Sequence, residues 1–178
     1  MSLFETIEKD YVQAYKAKDA VRLTVLRLLK TAVKNRLVDL CQFVEIRPMV
    51  NQVETHVFQQ QQAAHAIMQK YGVLHQSWGP FAEGRNGFFS NAVLNCTGKK
   101  YNKSAAQVAL RFLIQSGVGV IPKSVHKERM TQNFDVFDFT LSDEDMAVLK
   151  TLDTGKSLFF SHYDPDTVEF LTSLGKNA

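Results

Sequence analysis

The fold is decided by the stretch from Ser104 to Pro122, which reads SAAQVALRFLIQSGVGVIP. Apolar residues recur at helical spacing behind Ser104, a favoured N-cap residue, and they predict an amphipathic helix over residues 104–115. Gly117 then caps the helix, and the apolar run 118–121, closed by Pro122, predicts a strand. A helix followed at once by a fully apolar strand is typical of a buried parallel sheet.

The same alternation extends toward the N-terminus. Residues 49–54 and 73–78 predict two more strands, and residues 59–71, ended by Gly72, predict a helix between them. The order strand, helix, strand, helix, strand is typical of βαβ units. We therefore expect an α/β fold with about three parallel strands and flanking helices.

Three shorter features follow the stretch. A helix is predicted near residues 126–133, another behind the N-cap Ser142, and a last one that opens at Asp164 and Pro165. Residues 84–87, with two glycines around Arg85 and Asn86, predict a flexible loop.

The first thirty-five residues have a different pattern. Ser2 and Glu5 form a capping box, Asp19 is a second N-cap candidate, and helices are predicted over 3–17 and 20–35. This predicted helical hairpin holds seven basic and four acidic side chains, so the net charge of +3 lies here. The excess fits either a solvated helix face or an anionic partner such as RNA.

Composition excludes several classes of protein. The chain has 178 residues, 45% hydrophobic and 22% charged, which is neither a disordered nor a fibrous composition. Cys41 and Cys96 are too few and too far apart for a disulfide framework or a metal cluster. No apolar run approaches the ~20 residues of a membrane helix, and the N-terminus is not a secretory signal. We expect a cytoplasmic protein without a membrane partner.

One segment suggests phosphate binding. The predicted strand that ends at Pro122 is followed by Lys123 and Ser124, and a helical turn later by Arg129 and Asn133. An ammonium, a hydroxyl and a planar guanidinium at the carboxyl edge of a parallel sheet suit a phosphate monoester. Surface polar residues without any ligand fit the spacing equally well.

Five motifs, taken in order, resemble the C-terminal half of the aldo-keto reductases. They are PMVNQVETH at residues 48–56, SWGPF at 77–81, AQVALRF at 106–112, IPKS at 121–124 with Arg129 and Asn133, and VFDF at 136–139 with Leu141. The similarity runs from about Arg36 to the C-terminus. It implies half of a TIM-type (β/α)8 barrel and carbonyl reduction with NADPH at the carboxyl face of the strands.

The resemblance also implies roles for single residues. Gln52 matches the residue that hydrogen-bonds the nicotinamide carboxamide. Trp78 stands where the family usually has a tyrosine that stacks on the nicotinamide, and an indole can stack in the same way. Gly79, Pro80 and Phe81 match the loop beside the pyrophosphate.

The same resemblance implies which part of the cofactor the phosphate-binding candidates contact. Lys123, Ser124 and Arg129 match the pocket for the adenosine 2′-phosphate. Asn133 matches the adenine contacts, with Gln132 where many members of the family have glutamate. The implied cofactor is NADP, bound weakly or as a vestige.

The family's catalytic aspartate, tyrosine, lysine and histidine lie in the N-terminal half of its barrel, and residues 1–35 supply no such motif. No histidine of the chain matches the catalytic one. Because the tyrosine donates the proton to the carbonyl, we expect no reductase turnover by the chain alone, and we assign no catalytic residue and no metal ligand.

The N-terminal hairpin resembles the first two helices of the YqeY family, helical proteins related to the tail domain of a tRNA-dependent amidotransferase subunit. The matching segments are MSL at residues 1–3, QAYKAKD at 13–19 and RLTVLRLLKTAVKN at 22–35. The chain therefore resembles a chimera, natural or constructed, of residues 1–35 and 36–178. One helix can run from about Ala20 past Cys41 across this junction.

A half-barrel exposes strand edges and an inner face that the intact barrel buries. We therefore expect a homo-oligomer or a complementary barrel half as partner, and we do not expect nucleic acid. Two alternatives remain open: a chimeric folding module with no ligand, and an RNA-associated helical protein.

Overall fold

A computed structural model describes residues 36–160 and 164–174. The predicted hairpin, and its likeness to the YqeY family, lie outside these residues. Residues 48–159 form one compact unit, and the described residues on either side of them belong to a second. No helix in the described ranges is long and apolar enough to cross a membrane.

The second unit contributes two described helices, α1 (Arg36–Phe43) and α7 (Pro165–Leu174). Helix α1 confirms helical structure past Cys41, and its predicted extension back to Ala20 lies outside the described residues. Helix α7 opens at Pro165 as predicted, and the Thr167 hydroxyl donates to Asp164 Oδ2 at 2.6 Å in its first turn.

The main unit contains a three-stranded parallel sheet in the order β1-β2-β3. The strands are β1 (Val50–Glu54), β2 (Leu74–Trp78) and β3 (Gly119–Val120). Gln52 pairs in register with Gln76, and Ser77 with Val120. The predicted parallel sheet is therefore confirmed. Its third strand is two residues shorter than predicted. At its start, Val118 N bonds Leu113 O and so belongs to the turn that follows the preceding helix.

The helix predicted between the first two strands is confirmed, with one shifted boundary. Helix α2 (Gln62–Tyr71) joins β1 to β2 and ends at Gly72, whose φ is 68°. It begins three residues later than the predicted 59, since residues 56–59 close a tight turn in which His56 and Gln59 exchange two backbone hydrogen bonds.

The connection from β2 to β3 contains a helix that the sequence analysis missed. A 3₁₀ segment (Ala82–Ser90) leads into α3 (Ala92–Tyr101), and α4 (Ala105–Gln115) follows. The Asn91 side chain caps α3 by accepting from Val93 N and Leu94 N. Helices α3 and α4 meet so closely that a Cβ on Gly98 would lie only 2.3 Å from Lys103 O.

The core lies on one face of the sheet. Ser77 is fully buried there, and Val120, its register partner, packs against a cluster built around Phe88, Leu94 and Phe112. On the other face Leu74 is 48% exposed. The chain continues through α5 (Lys127–Phe134) and α6 (Asp143–Lys150), which confirm the helices predicted near 126–133 and behind Ser142.

Candidate functional site

The carboxyl end of β2 carries Trp78 and the turn that follows it. Gly79 has a φ of +66°, and a Cβ at this position would lie 3.6 Å from the Phe159 ring. The Phe159 ring itself packs on Trp78, with centroids 4.8 Å apart. Pro80 is buried, and the half-buried Phe81 packs edge-on against Phe88 of the core. This turn is therefore fixed by aromatic packing on both sides.

The 3₁₀ segment after this turn was predicted to be a flexible loop around Arg85. Glu83, Gly84, Asn86 and Gly87 all have positive φ, which makes the segment irregular. Arg85 nevertheless anchors it: one guanidinium nitrogen donates to Leu158 O at 2.7 Å, and the group lies 4.4 Å from the Phe159 ring centroid. The flexibility stays a prediction.

Gln52 lies on β1, on the face of the sheet that also carries Gln76. Its Nε2 donates to Gln76 Oε1 at 3.0 Å, so its amide is oriented by the neighbouring strand. Glu54, two residues further along, is the register partner of Trp78. The sheet thus places Gln52 and Trp78 on the same face, on adjacent strands.

Glu54 is a buried carboxylate at the carboxyl end of β1, and the sequence analysis did not single it out. It accepts hydrogen bonds from Ser157 Oγ at 2.5 Å and from Leu158 N at 3.0 Å, and it is 3.0 Å from His56 Nε2. These bonds fasten residues 157–159 to the strand end and so hold the Phe159 ring against Trp78. An acidic residue at the carboxyl end of a predicted parallel strand was the available signal.

His56 is the neutral partner of this carboxylate. Its Nδ1 accepts a hydrogen bond from Phe58 N at 3.2 Å, so the proton sits on Nε2 and is donated to Glu54. Burial of the ring lowers the pKa of His56, against the opposing effect of Glu54. The pair therefore fixes the turn that follows β1.

The segment after β3 carries the predicted phosphate ligands. Lys123 is exposed, and Ser124 Oγ accepts from His126 N at 3.1 Å, which shapes the turn into α5. Arg129 and Gln132 are exposed on α5, and Asn133 is half-buried. The last three stand at i, i+3 and i+4, which places them on one side of the helix.

These five side chains are close in the chain, yet no hydrogen bond or ion pair joins them to one another among the described residues. Within the same ranges, neither the Lys123 ammonium nor the Arg129 guanidinium has a carboxylate partner. Two cations within one short segment, neither of them paired with a carboxylate in the described ranges, form a donor set that suits a phosphate.

The far end of α5 is fixed to the start of α4 by a partly exposed polar cluster. Lys103 Nζ lies 2.8 Å from Asp135 Oδ2 and 2.7 Å from Asp138 Oδ2, and Gln107 Nε2 donates to Asp135 O at 2.8 Å. The hydrogen bond to Asp135, followed by that to Asp138, raises the pKa of Lys103, and Lys103 in turn lowers the pKa of Asp138. The cluster sets the direction of the helix that carries Arg129, Gln132 and Asn133.

The fold and this site define the class of protein. Residues 33–154 match the model of the aldo/keto reductase family, and the chain belongs to that family.

Similar proteins include two curated reductases. The methylglyoxal reductase DkgA of Yersinia pestis is 41% identical over 113 residues, which are 64% of this chain and 41% of that protein. The 9,11-endoperoxide prostaglandin H2 reductase of Trypanosoma cruzi is 39% identical over 125 residues, 70% of this chain and 44% of that protein. The chain thus spans less than half the length of these relatives.

Two solved structures show the same relationship. An aldo-keto reductase, MGS-M4, from a Medee basin deep-sea metagenome library superposes with a TM-score of 0.68 at 40% identity, over 71% of this chain and 47% of its own. A variant of Gox0644 in complex with NADPH superposes with a TM-score of 0.66 at 32% identity, over 71% of this chain and 46% of its own. These matches support the fold as a fragment of a barrel of this family.

Proposed function

We propose that the chain is an NADP(H)-binding segment of the aldo/keto reductase type. One observation carries the proposal: at the carboxyl end of β3, beside the end of β2, Lys123 and Arg129 stand without a carboxylate partner among the described residues. A relative at 32% identity has been solved with NADPH. The cofactor fits the donor set of this chain, because its 2′-phosphate requires cations at this edge.

The individual roles follow the resemblance to the family. Lys123, Ser124 and Arg129 would hold the adenosine 2′-phosphate, and Gln132 and Asn133 would contact the adenine. Ser124 Oγ accepts from His126 N at 3.1 Å and donates to His126 O at a long 3.4 Å, so a phosphate oxygen would take the hydroxyl proton from a weak backbone contact.

At the other end of the cofactor, Gln52 would hold the carboxamide and Trp78 would stack on the ring. Gly79, Pro80 and Phe81 would line the pyrophosphate. NADPH, when bound to a complete site of this kind, supplies the hydride for carbonyl reduction.

Reductase activity of the chain alone is not part of the proposal. The family's catalytic tetrad belongs to the other half of the barrel, and without the proton donor the carbonyl oxygen cannot be protonated in step with hydride transfer. We further propose a second copy or a complementary barrel half as partner, a cytoplasmic location, and a YqeY-like origin for residues 1–35.

The test uses the intrinsic fluorescence of Trp78, the only tryptophan in the chain. NADPH should quench it saturably, and NADH, which lacks the 2′-phosphate, should bind at least about tenfold more weakly. Lys123→Ala should remove most of this preference, whereas Lys99→Ala, an exposed lysine on α3, should not.

The competing function is a folding module without a ligand. It predicts no saturable quenching by either nucleotide, or identical titrations for the parent chain and Lys123→Ala. Either result would overturn the proposed function.

A further inference from the structure

A cavity of about 290 Å³ lies on the helix-covered side of the sheet. Its walls come from the start of α2, the end of α4 with the turn into β3, and one side of α6. None of the residues assigned to the cofactor lines it. The volume is close to the lower end of the ~300–1,000 Å³ range of ligand pockets, so any ligand must be small.

The inner wall is apolar. Phe112, Leu113 and Val118 contribute buried side chains, and Met146 on α6 contributes a flexible, half-buried one. An apolar surface of this kind favours the hydrocarbon body of a ligand over water.

The cavity has a cationic rim. Lys150 lies one helical turn after Met146 on α6, so both side chains project from the same side of the helix. Within residues 36–160 and 164–174, no carboxylate lies within ion-pair distance of the Lys150 ammonium. Nothing in that part of the chain neutralises this charge, which favours an anion at the rim.

The second polar group at the cavity is the His65 ring, and a chain of hydrogen bonds, the His65–His75 relay, determines which of its nitrogens carries the proton. The Thr55 hydroxyl donates to Val53 O at 3.2 Å, and so it accepts from His75 Nε2 at 2.8 Å. His75 Nδ1 is then an acceptor, and it lies 3.0 Å from His65 Nδ1, which must donate. Burial, with a smaller effect of His65, lowers the pKa of His75 to about 4, which keeps this acceptor unprotonated near neutral pH.

The relay leaves Nε2 of His65 as an acceptor at the cavity. No hydrogen bond reaches this atom from the described residues. A Cβ on Gly117 would lie 3.7 Å from it, which places this edge of the ring at the turn from α4 into β3, where the cavity is lined by Val118. The relay is not used by the proposed cofactor site.

We propose that this cavity binds a small organic acid that also carries a hydroxyl group. Its carboxylate pairs with Lys150, its hydroxyl donates to His65 Nε2, and its apolar body packs on Phe112 and Met146. The site is independent of the proposed cofactor function, because no residue assigned to the cofactor lines it. His65, which does line it, bonds His75, and residues 75 and 78 of β2 point to opposite faces of the sheet.

The probe is 4-hydroxybenzoate, titrated at pH 8 into the full chain labelled with ¹³C at its methionine methyl groups. Met146 should shift saturably, with a Kd on the order of 1 mM for a ligand of this size. Met130, exposed on α5, is the internal reference and should not shift. Met146→Leu assigns the signal.

Matched ligands and variants separate the parts of the proposal. 4-Hydroxybenzamide, without the charge, and benzoate, without the hydroxyl, should each bind several-fold more weakly. Lys150→Met should weaken the binding of 4-hydroxybenzoate roughly threefold to fivefold, as expected for a partly exposed ion pair. Lys99→Met should leave the binding unchanged.

Several results would overturn the inference. They are an absent or non-saturable shift of Met146, equal binding of the three ligands, equal binding by Lys150→Met, or a shift of the same signal on addition of NADPH. The last result would show that the cavity is not a separate site, and none of them bears on quenching of Trp78 by NADPH.

Discussion

The Phe159 ring lies 4.8 Å from the Trp78 ring, centroid to centroid, at an interplanar angle of 58°. Phe159 reaches this position because Glu54 accepts from Ser157 Oγ and from Leu158 N, on the two residues before it. A carboxylate on β1 therefore determines what lies against the indole at the end of β2. Four predictions follow from this contact and from others in the same unit.

Phe159→Ala should uncover the indole. We expect the emission maximum of Trp78 to move to longer wavelength, and we expect NADPH to quench a larger fraction of the emission, because the cofactor no longer competes with the phenyl ring. Loss of the aromatic contact should cost about 1 kcal/mol of stability. Phe89→Ala, an exposed ring packed on Phe81 and Phe88, is the control. Unchanged emission of Phe159→Ala would contradict the assigned contact.

Glu54→Gln should destabilise the unit by roughly 1–3 kcal/mol in urea unfolding, since a neutral amide replaces a buried, multiply bonded carboxylate. The amide also brings donors of its own toward Ser157, Leu158 and His56. The matched change is Glu83→Gln, at an exposed residue whose contact with Arg85 is 3.7 Å long. An equal effect of both substitutions would show that the hydrogen bonds of Glu54 do not stabilise the unit.

Acid should destabilise the unit through His75. Its pKa is lowered to about 4 in the folded state against 6.5 for the free side chain, so the unfolded chain binds more protons between these values. The contribution of His75 to the free energy of unfolding is fully present above pH 6.5. It is lost as the pH falls toward 4, by at most roughly 3 kcal/mol.

The measurement is the urea midpoint at pH 7 and at pH 5. His75→Gln should show a smaller difference between the two values than the parent chain. The pKa of His56 is also lowered, so His75→Gln should still lose some stability between pH 7 and pH 5. His126→Gln, at an exposed position, should behave as the parent does. A difference unchanged by His75→Gln would refute the assignment.

Gly98→Ala should destabilise the α3–α4 corner by about 1–3 kcal/mol, because its Cβ would come within 2.3 Å of Lys103 O and the backbone must move. Gly119→Ala is a suitable comparison, since the nearest atom to its Cβ would be 3.7 Å away. Thermal unfolding of the two variants measures the contrast. Equal melting temperatures would mean that the two helices can separate at little cost.

Local patterns predicted most of the sheet and its helices. The apolar spacing of α4, the Gly72 cap and the Pro122 stop are all readable from neighbouring residues. Helix α3 was missed because Asn95, Thr97 and Gly98 interrupt its apolar stripe, and tertiary packing against α4 compensates for weak propensity. Its Asn91 cap was a usable signal.

The candidate site also contains residues that a local motif identifies and residues that only the fold brings together. Lys123, Ser124 and Arg129 stand within one short segment, so a motif is enough to find them. The Glu54 cluster joins residues about a hundred positions apart, and no spacing rule links them. The His65–His75 relay depends on tautomers that only the hydrogen-bond partners define.

The attachment of residues 157 and 158 to Glu54 has a consequence for biosynthesis. On a ribosome, β1 is synthesised about a hundred residues before these donors, so in the nascent chain water takes their place at the carboxylate. The corner after β1 reaches its final form only once translation has passed Leu158. Completion of this corner is therefore a late, C-terminal event in the maturation of the unit.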